Sequence, residues 1–153
     1  MRHGAVIGAE ALIRWQHPDE GLLLPARFMP AVETSDLAIG VGQWVMKEAL
    51  RQMAVWTAQG LSLPVSINIS TRHLQQPDFV AQLRALLAAS PNASPDHLEF
   101  EILETAGLDN LAAITALIDG CRQLGVCFAL DDFGTGYSSL TYLKNLAVQL
   151  LKI

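Results

Sequence analysis

The sequence predicts an α/β domain built on a parallel sheet. Strand-like apolar runs and helical repeats alternate along the whole chain, the pattern of β/α units. The strand runs are apolar enough to be covered on both faces, as buried parallel strands are. No linker, repeat or low-complexity segment divides the chain, so its 153 residues read as one domain, long enough to bury a core. Apolar residues make up 51% and the mean hydropathy is +0.30. No stretch approaches the roughly 18 uncharged apolar residues that a membrane helix needs.

The elements follow in order. Val6 to Trp15 reads as a strand, with Gly21 in the loop after it. Leu24 to Phe28 opens a helix with Pro25 near its first position. A longer helix runs from Ile39 to Gln59, with Val41, Trp44, Val45, Ala49, Met53 and Trp56 at helical spacing and Gly60 as its stop. A strand from Pro64 to Ser70 precedes a helix from Phe79 to Ala89, whose Phe79, Leu83, Leu86 and Leu87 face inward. After the loop Ser90 to Pro95 come a strand from His97 to Leu103, a helix from Asn110 to Leu124 and a strand from Val126 to Asp131. A glycine-rich loop, a short helix near Ser139 to Leu143 and an apolar run from Val148 to Ile153 finish the chain.

Side chains alternate faces along a strand. Val65, Ile67 and Ile69 share one face of their strand, and Ser66, Asn68 and Ser70 share the other. Glu99 and Glu101 oppose Phe100 and Ile102. Glu10, Leu12 and Arg14 line up together, and Asp131 lies opposite Leu130 with Asp132 opening the loop. Four consecutive strands thus place an oxygen-bearing side chain on the face away from the helices, three of them near the carboxyl end. Such charges are costly inside a sheet unless paired or bound to a metal, and this is the rim where β/α barrels build active sites. Glu10, Asn68, Glu101, Asp131 and Asp132 offer oxygen only, which selects magnesium, manganese or calcium over zinc. Lys152, on the last strand, is placed to neutralise or orient a bound water there.

Taken singly, each residue has a blander reading. Asp131-Asp132 before Phe133-Gly134 also suits a plain turn, and Asn68 alone reads as a strand-end hydrogen bonder. Glu99 reads as a partnered or rim carboxylate. His3, His17, His73 and His97 show no ligand spacing. Cys121 and Cys127 also lack it and read as inert buried thiols. Asp132-Phe133-Gly134 matches a kinase fragment, but the chain has no glycine-rich phosphate loop, lysine strand or HRD-like loop to go with it. The coincidence across four strands carries the site.

At these residues the chain resembles the EAL family. Glu10-Ala11-Leu12, Ile13-Arg14-Trp15 and His17-Pro18 match its naming signature. Ile67-Asn68-Ile69-Ser70, Glu101-Ile102-Leu103-Glu104, the run from Asp131 to Leu140, and Leu151-Lys152-Ile153 match its later motifs in order. Leu103 departs from the usual threonine. The resemblance implies a variant of the TIM-like β/α barrel, with mainly parallel strands, that hydrolyses cyclic di-GMP to linear pGpG. It implies Glu10, Asn68, Glu101 and Asp131 as metal ligands, Asp132 at a second metal, and magnesium or manganese as the ions. Glu10, Asp131 and Lys152 would be catalytic, with Lys152 assisting the attacking water. Leu12 and Arg14 would contact substrate, Arg14 through phosphate, and Glu104 would steady the loop from Phe133 to Ser139.

A full barrel takes about 250 residues, so 1–153 is expected to be a partial EAL domain without the first strand and the C-terminal part of the barrel. Missing with them would be a substrate-contacting glutamine, the aspartate two residues past Lys152, a later glutamate and a second glutamine. Three expectations follow. The four ligands should converge within one coordination sphere, the Asp132 to Ser139 loop should be the most mobile segment without metal, and open sheet edges should drive self-association as a homodimer or larger assembly. The alternative to an enzyme is an inactive module that binds the dinucleotide or a protein. Glu10 and Arg14 interrupt any export signal, which predicts a cytoplasmic protein whose Asn68-Ile69-Ser70 and Asn92-Ala93-Ser94 sequons go unused. A net charge of −5 argues against a nucleic-acid polymer as partner.

Overall fold

The computed structural model describes residues 4–103, 111–131 and 150–151. Its main sheet has five parallel strands: β1 (Ala9–Ala11), β4 (Val65–Asn68), β5 (Leu98–Leu103), β6 (Cys127–Asp131) and β7 (Leu150–Leu151), in that spatial order. A second, two-stranded antiparallel sheet pairs β2 (Trp15–His17) with β3 (Gly21–Leu23). Helices α1 (Pro25–Glu33) and α2 (Leu37–Ala58) link β3 to β4, α3 (Thr71–Leu74) and α4 (Phe79–Ala88) link β4 to β5, and α5 (Leu111–Arg122) precedes β6. Each described strand is laid beside its predecessor in the main sheet, as in a barrel rather than a doubly wound sheet.

One core lies between the sheet and its helices. Val65, Ile67, Leu98, Phe100, Val126 and Phe128 supply the sheet side. Met46, Leu50 and Met53 of α2, Phe79 and Leu83 of α4, and Ile114, Ile118 and Cys121 of α5 supply the helix side. Helices α2, α4 and α5 therefore pack on the same face of the strands, which leaves the other face to the polar residues. An edge-to-face series of rings crosses this core from His73 to Phe79, Phe100 and Phe128, with centroids 5.0, 5.8 and 5.3 Å apart. Each such pair contributes about 0.5–1.5 kcal/mol beyond simple burial.

Two expectations are corrected. The run from Val6 to Trp15 is not one strand: Ala9–Ala11 joins the main sheet, whereas Trp15–His17 turns back on Gly21–Leu23. Gly21, at φ 72°, takes the left-handed conformation that closes this hairpin. Trp44 does not face the core; it is 54% exposed, and Ala38, Gly42, Met46, Ala49, Leu50 and Met53 form the buried stripe of α2. A helix apolar on nearly all sides gives a weak phase, and the close neighbour decides which side goes in.

That neighbour is His73 on α3. It is wholly buried, and neither ring nitrogen reaches a hydrogen-bond partner among the described residues. A Cβ on Gly42 would lie 2.1 Å from its Nδ1, so the absence of a side chain at 42 is what lets α2 close over the ring. Burial pushes the His73 imidazole below its ordinary value of 6.5; Gln82 and Asp78 act in the opposite direction without overcoming it.

Gly42→Ala should therefore destabilise the fold by about 1–3 kcal/mol through overpacking. Gly40→Ala on the same helix meets nothing within 4 Å and should stabilise by up to about 1 kcal/mol; urea unfolding of both variants checks the pair. His73 holds fewer protons folded than unfolded, so its contribution is fully present above pH 6.5 and is lost as pH falls through that value toward the lower folded one. The midpoint of thermal unfolding should drop in that window, and His73→Leu should flatten the drop.

Candidate functional site

The polar face of the sheet is built by alternation. With Ile67, Phe100 and Phe128 turned into the core, Ser66, Asn68, Glu99, Glu101, Cys127 and Asp131 turn the other way. Glu10 pairs in register with Ser66, Asn68 with Glu101, and Glu101 with Ala129, while Asp131 stands opposite Leu103. Across the strands the candidate donors thus climb: Asn68 lies two positions beyond the partner of Glu10, and Asp131 two beyond the partner of Glu101.

A tilted sheet explains this climb. In an eight-stranded β/α barrel of shear 8, the residue at a given height advances about one position per strand and two per alternate strand. Glu10 and Glu101 therefore belong to one layer, and Asn68 and Asp131 to the next one up. The register stacks the four donors in two successive layers at the carboxyl ends of the strands.

Asn68 and Glu10 meet directly: the Asn68 amide nitrogen Nδ2 donates to Glu10 Oε1 at 3.0 Å. Without a cation, a carboxylate draws the N–H side of the amide; an ion between them would call for Oδ1 instead. Glu101 is nearly fully buried and Asp131 half-buried. Among the described residues no three His, Cys, Asp or Glu side chains approach closely enough to hold one ion. The structure brings Glu10 and Asn68 together and sets Glu101 and Asp131 on the next two strands.

Deeper on the same face, Ser66 Oγ donates to Glu99 Oε1 at 2.7 Å, so Glu99 is a partnered carboxylate. Burial, with Glu99 and Asp96 adding to it, pushes the Cys127 thiol up. Burial raises Cys121 to about 12. Both are poor nucleophiles at neutral pH.

Beside the donors opens a cavity of about 830 Å³, walled by Asn68 and Glu101 on the sheet side and by Leu12, Ile13, Pro25 and Met29 across from it. Its volume is that of a site for a sizeable small molecule. Leu12 is in the wall and half-exposed. Arg14 is outside the wall, its Nη1 donating to the Ile13 carbonyl at 2.8 Å. Asp132, Glu104 and Lys152, with the loop from Asp132 to Ser139 and the short helix near it, lie outside the described residues. The sequence reading missed the β2–β3 hairpin, although Pro18-Asp19-Glu20-Gly21 between two short apolar runs is a hairpin signal.

The EAL domain family matches residues 1–153. The bifunctional diguanylate cyclase/cyclic di-GMP phosphodiesterase MucR of Pseudomonas aeruginosa is 39% identical over 99% of this chain. The cyclic di-GMP phosphodiesterase PdeR of Escherichia coli is 36% identical over 98%. The chain spans only 22% of the length of each. Among solved structures, a MucR phosphodiesterase in complex with cyclic di-GMP superposes with a TM-score of 0.90 at 38% identity, covering 98% of this chain and 61% of that one. The FimX EAL domain from Pseudomonas aeruginosa bound to cyclic di-GMP gives 0.85 at 26%, covering 99% and 60%. With a parallel sheet whose register stacks four oxygen donors at the carboxyl rim, and a match along its whole length, the chain belongs to the EAL domain family.

Proposed function

We propose that this chain serves a phosphodiesterase that hydrolyses cyclic di-GMP to linear pGpG, and that residues 1–153 form part of one EAL domain. The observation that carries the reading is the Glu10–Asn68 contact beside buried Glu101, at the edge of a cavity large enough for a small phosphodiester. The donors fit a hard divalent cation because every one offers oxygen. Glu10, Asn68, Glu101 and Asp131 would hold Mg²⁺ or Mn²⁺, and Asp132 would reach a second ion. Bound there, the ions supply positive charge to the phosphodiester and lower the pKa of the attacking water.

The chain's own residues do the rest. Asn68 orients the Glu10 carboxylate; Leu12 packs against the substrate from the cavity wall; and Arg14, with no carboxylate partner among the described ion pairs, takes phosphate. Lys152 orients the attacking water, and Glu104 steadies the loop that follows Asp132. The protein works in the cytoplasm, and no described helix is long and apolar enough to cross a membrane. Among the described strands, β1 and β7 are the outer members of the main sheet, and pairing there supports self-association; light scattering over a dilution series reads it.

A second reading, cyclic di-GMP binding without turnover, draws support from the described site as it stands, in which only two donors meet. Assaying hydrolysis with and without Mg²⁺ or Mn²⁺ separates the two. The first expects metal-dependent pGpG and a loss of about 100-fold or more in Glu10→Ala with an unchanged circular dichroism spectrum. Binding with no product under either ion supports the second.

Asn68→Asp tests the metal site apart from catalysis. It replaces a hydrogen bond to Glu10 with a second carboxylate, which should lower stability by about 1 kcal/mol in chelator. Mg²⁺ should then raise the melting temperature more in this variant than in the wild type. If Mg²⁺ and Mn²⁺ move neither protein, these residues do not hold the ion.

A further inference from the structure

The cavity is lined by parts of α1, α2 and α3 as well as by the sheet. Two of its lining segments are Ala11 to Ile13, at the end of β1, and Pro25, Ala26 and Met29, at the start of α1. The β2–β3 hairpin is the chain between them, so its closure sets their separation. His17 closes it. Its Nδ1 accepts the backbone N–H of Asp19 and of Glu20, each at 3.2 Å. Pro18, between His17 and Asp19, has no N–H to offer. A nitrogen that accepts two donors carries no proton, so the ring is either the Nε2–H tautomer or has lost this arrangement. The same ring packs edge-on against Trp15, with centroids 4.8 Å apart, and Trp15 packs in turn on buried Phe28 of α1 at 5.8 Å. From the other side of the turn, Glu20 accepts from Arg27 Nη2 at 2.7 Å. Turn, strand and helix are thus fastened together, with Trp15 one residue from Arg14 and three from Leu12, and His17 three and five.

We propose that His17 is a positioning residue of the substrate site: through the turn and through Trp15 it holds Leu12 in the cavity wall and Arg14 in the segment that follows it. This rests on the reading of those two as substrate contacts. The plain alternative is a hairpin that only contributes to folding. It predicts that any variant loses stability without a selective loss of binding. The surface pair Arg27–Glu20 is more than half exposed on the arginine side and too weak to hold the turn alone.

The test compares His17→Leu, which keeps an apolar ring-sized contact but no acceptor, with His17→Asn, whose Oδ1 accepts backbone N–H groups in the same kind of turn. His17→Leu should raise KM for cyclic di-GMP, or Kd by calorimetry, about tenfold with kcat unchanged, the loss of about one hydrogen bond's worth of ordering. His17→Asn should restore the wild-type value. In a Trp44→Phe, Trp56→Phe background, where Trp15 is the remaining tryptophan, the emission should shift to the red in His17→Leu and not in His17→Asn. An unchanged KM and Kd in His17→Leu, a fall in kcat alone, or an asparagine variant as impaired as the leucine one would overturn the proposal. If the wild type binds no cyclic di-GMP, the functional reading fails, and the Trp15 emission still decides the latch: no shift in His17→Leu overturns it too.

Discussion

Parallel pairing of β1, β4, β5 and β6 in one fixed register is the constraint on which the core and the candidate site both depend. Because side chains alternate, a slip of a single position would turn Phe100 and Phe128 out to the polar face and drive Glu99 and Glu101 among the helices. The register is held from the core side. Phe100 lies opposite Phe128 on the next strand, their rings 5.3 Å apart, and Phe79 of α4 packs on the first of them. Hydrophobic packing on one face therefore fixes the height of carboxylates on the other.

The polar face bears the electrostatic cost of this arrangement. Glu10, Glu99, Glu101 and Asp131 share it. The described answers are local: Ser66 donates to Glu99, and the Asn68 amide turns its N–H toward Glu10. Each is a neutral donor doing what a cation would do more strongly. The core face tolerates its own exception, since His73 sits buried under Gly42, unpartnered among the described residues. An uncharged imidazole against Phe79 is tolerable there in a way that an unpaired carboxylate would not be.

Much of this was legible in the sequence where one period dominated. Val65 to Ser70, Leu98 to Leu103 and Cys127 to Asp131 alternate cleanly, and their faces fall as the residues say. Phe79 and Leu83, or Ile114 and Ile118, mark their helix faces equally well. The reading slipped where two patterns overlapped. Val6 to Trp15 is apolar enough to pass for one strand, and nothing in its period shows that Trp15 leaves the main sheet for a hairpin that reverses after His17. In α2 the bulky Trp44 outweighed the small Ala38 and Gly42, yet the small residues mark the close contact. The donors of the site were readable as types on a shared face, but their heights were not. Those depend on the stagger between strands, which no single strand's sequence contains.

The two kinds of site residue are consequently held by different means. Glu10, Asn68, Glu101 and Asp131 ride on paired strands, and the sheet places them to within the stiffness of its ladder. Leu12 and Arg14 leave the sheet after Ala11, where the ladder no longer reaches them. A segment in that position loses definition unless something else restrains it, because an exposed connection has few contacts of its own. The chain meets this need with the hairpin that follows at once. Trp15 is pinned to Phe28, Glu20 to Arg27, and the turn to His17. The rigidity of the donors comes from long-range pairing, whereas that of the segment after Ala11 comes from contacts between residues close in the sequence, none further apart than Trp15 and Phe28. Damage to the core should therefore disturb both, and damage to the hairpin only the second, which makes the hairpin the part of this domain where the cavity lining can change without loss of the fold.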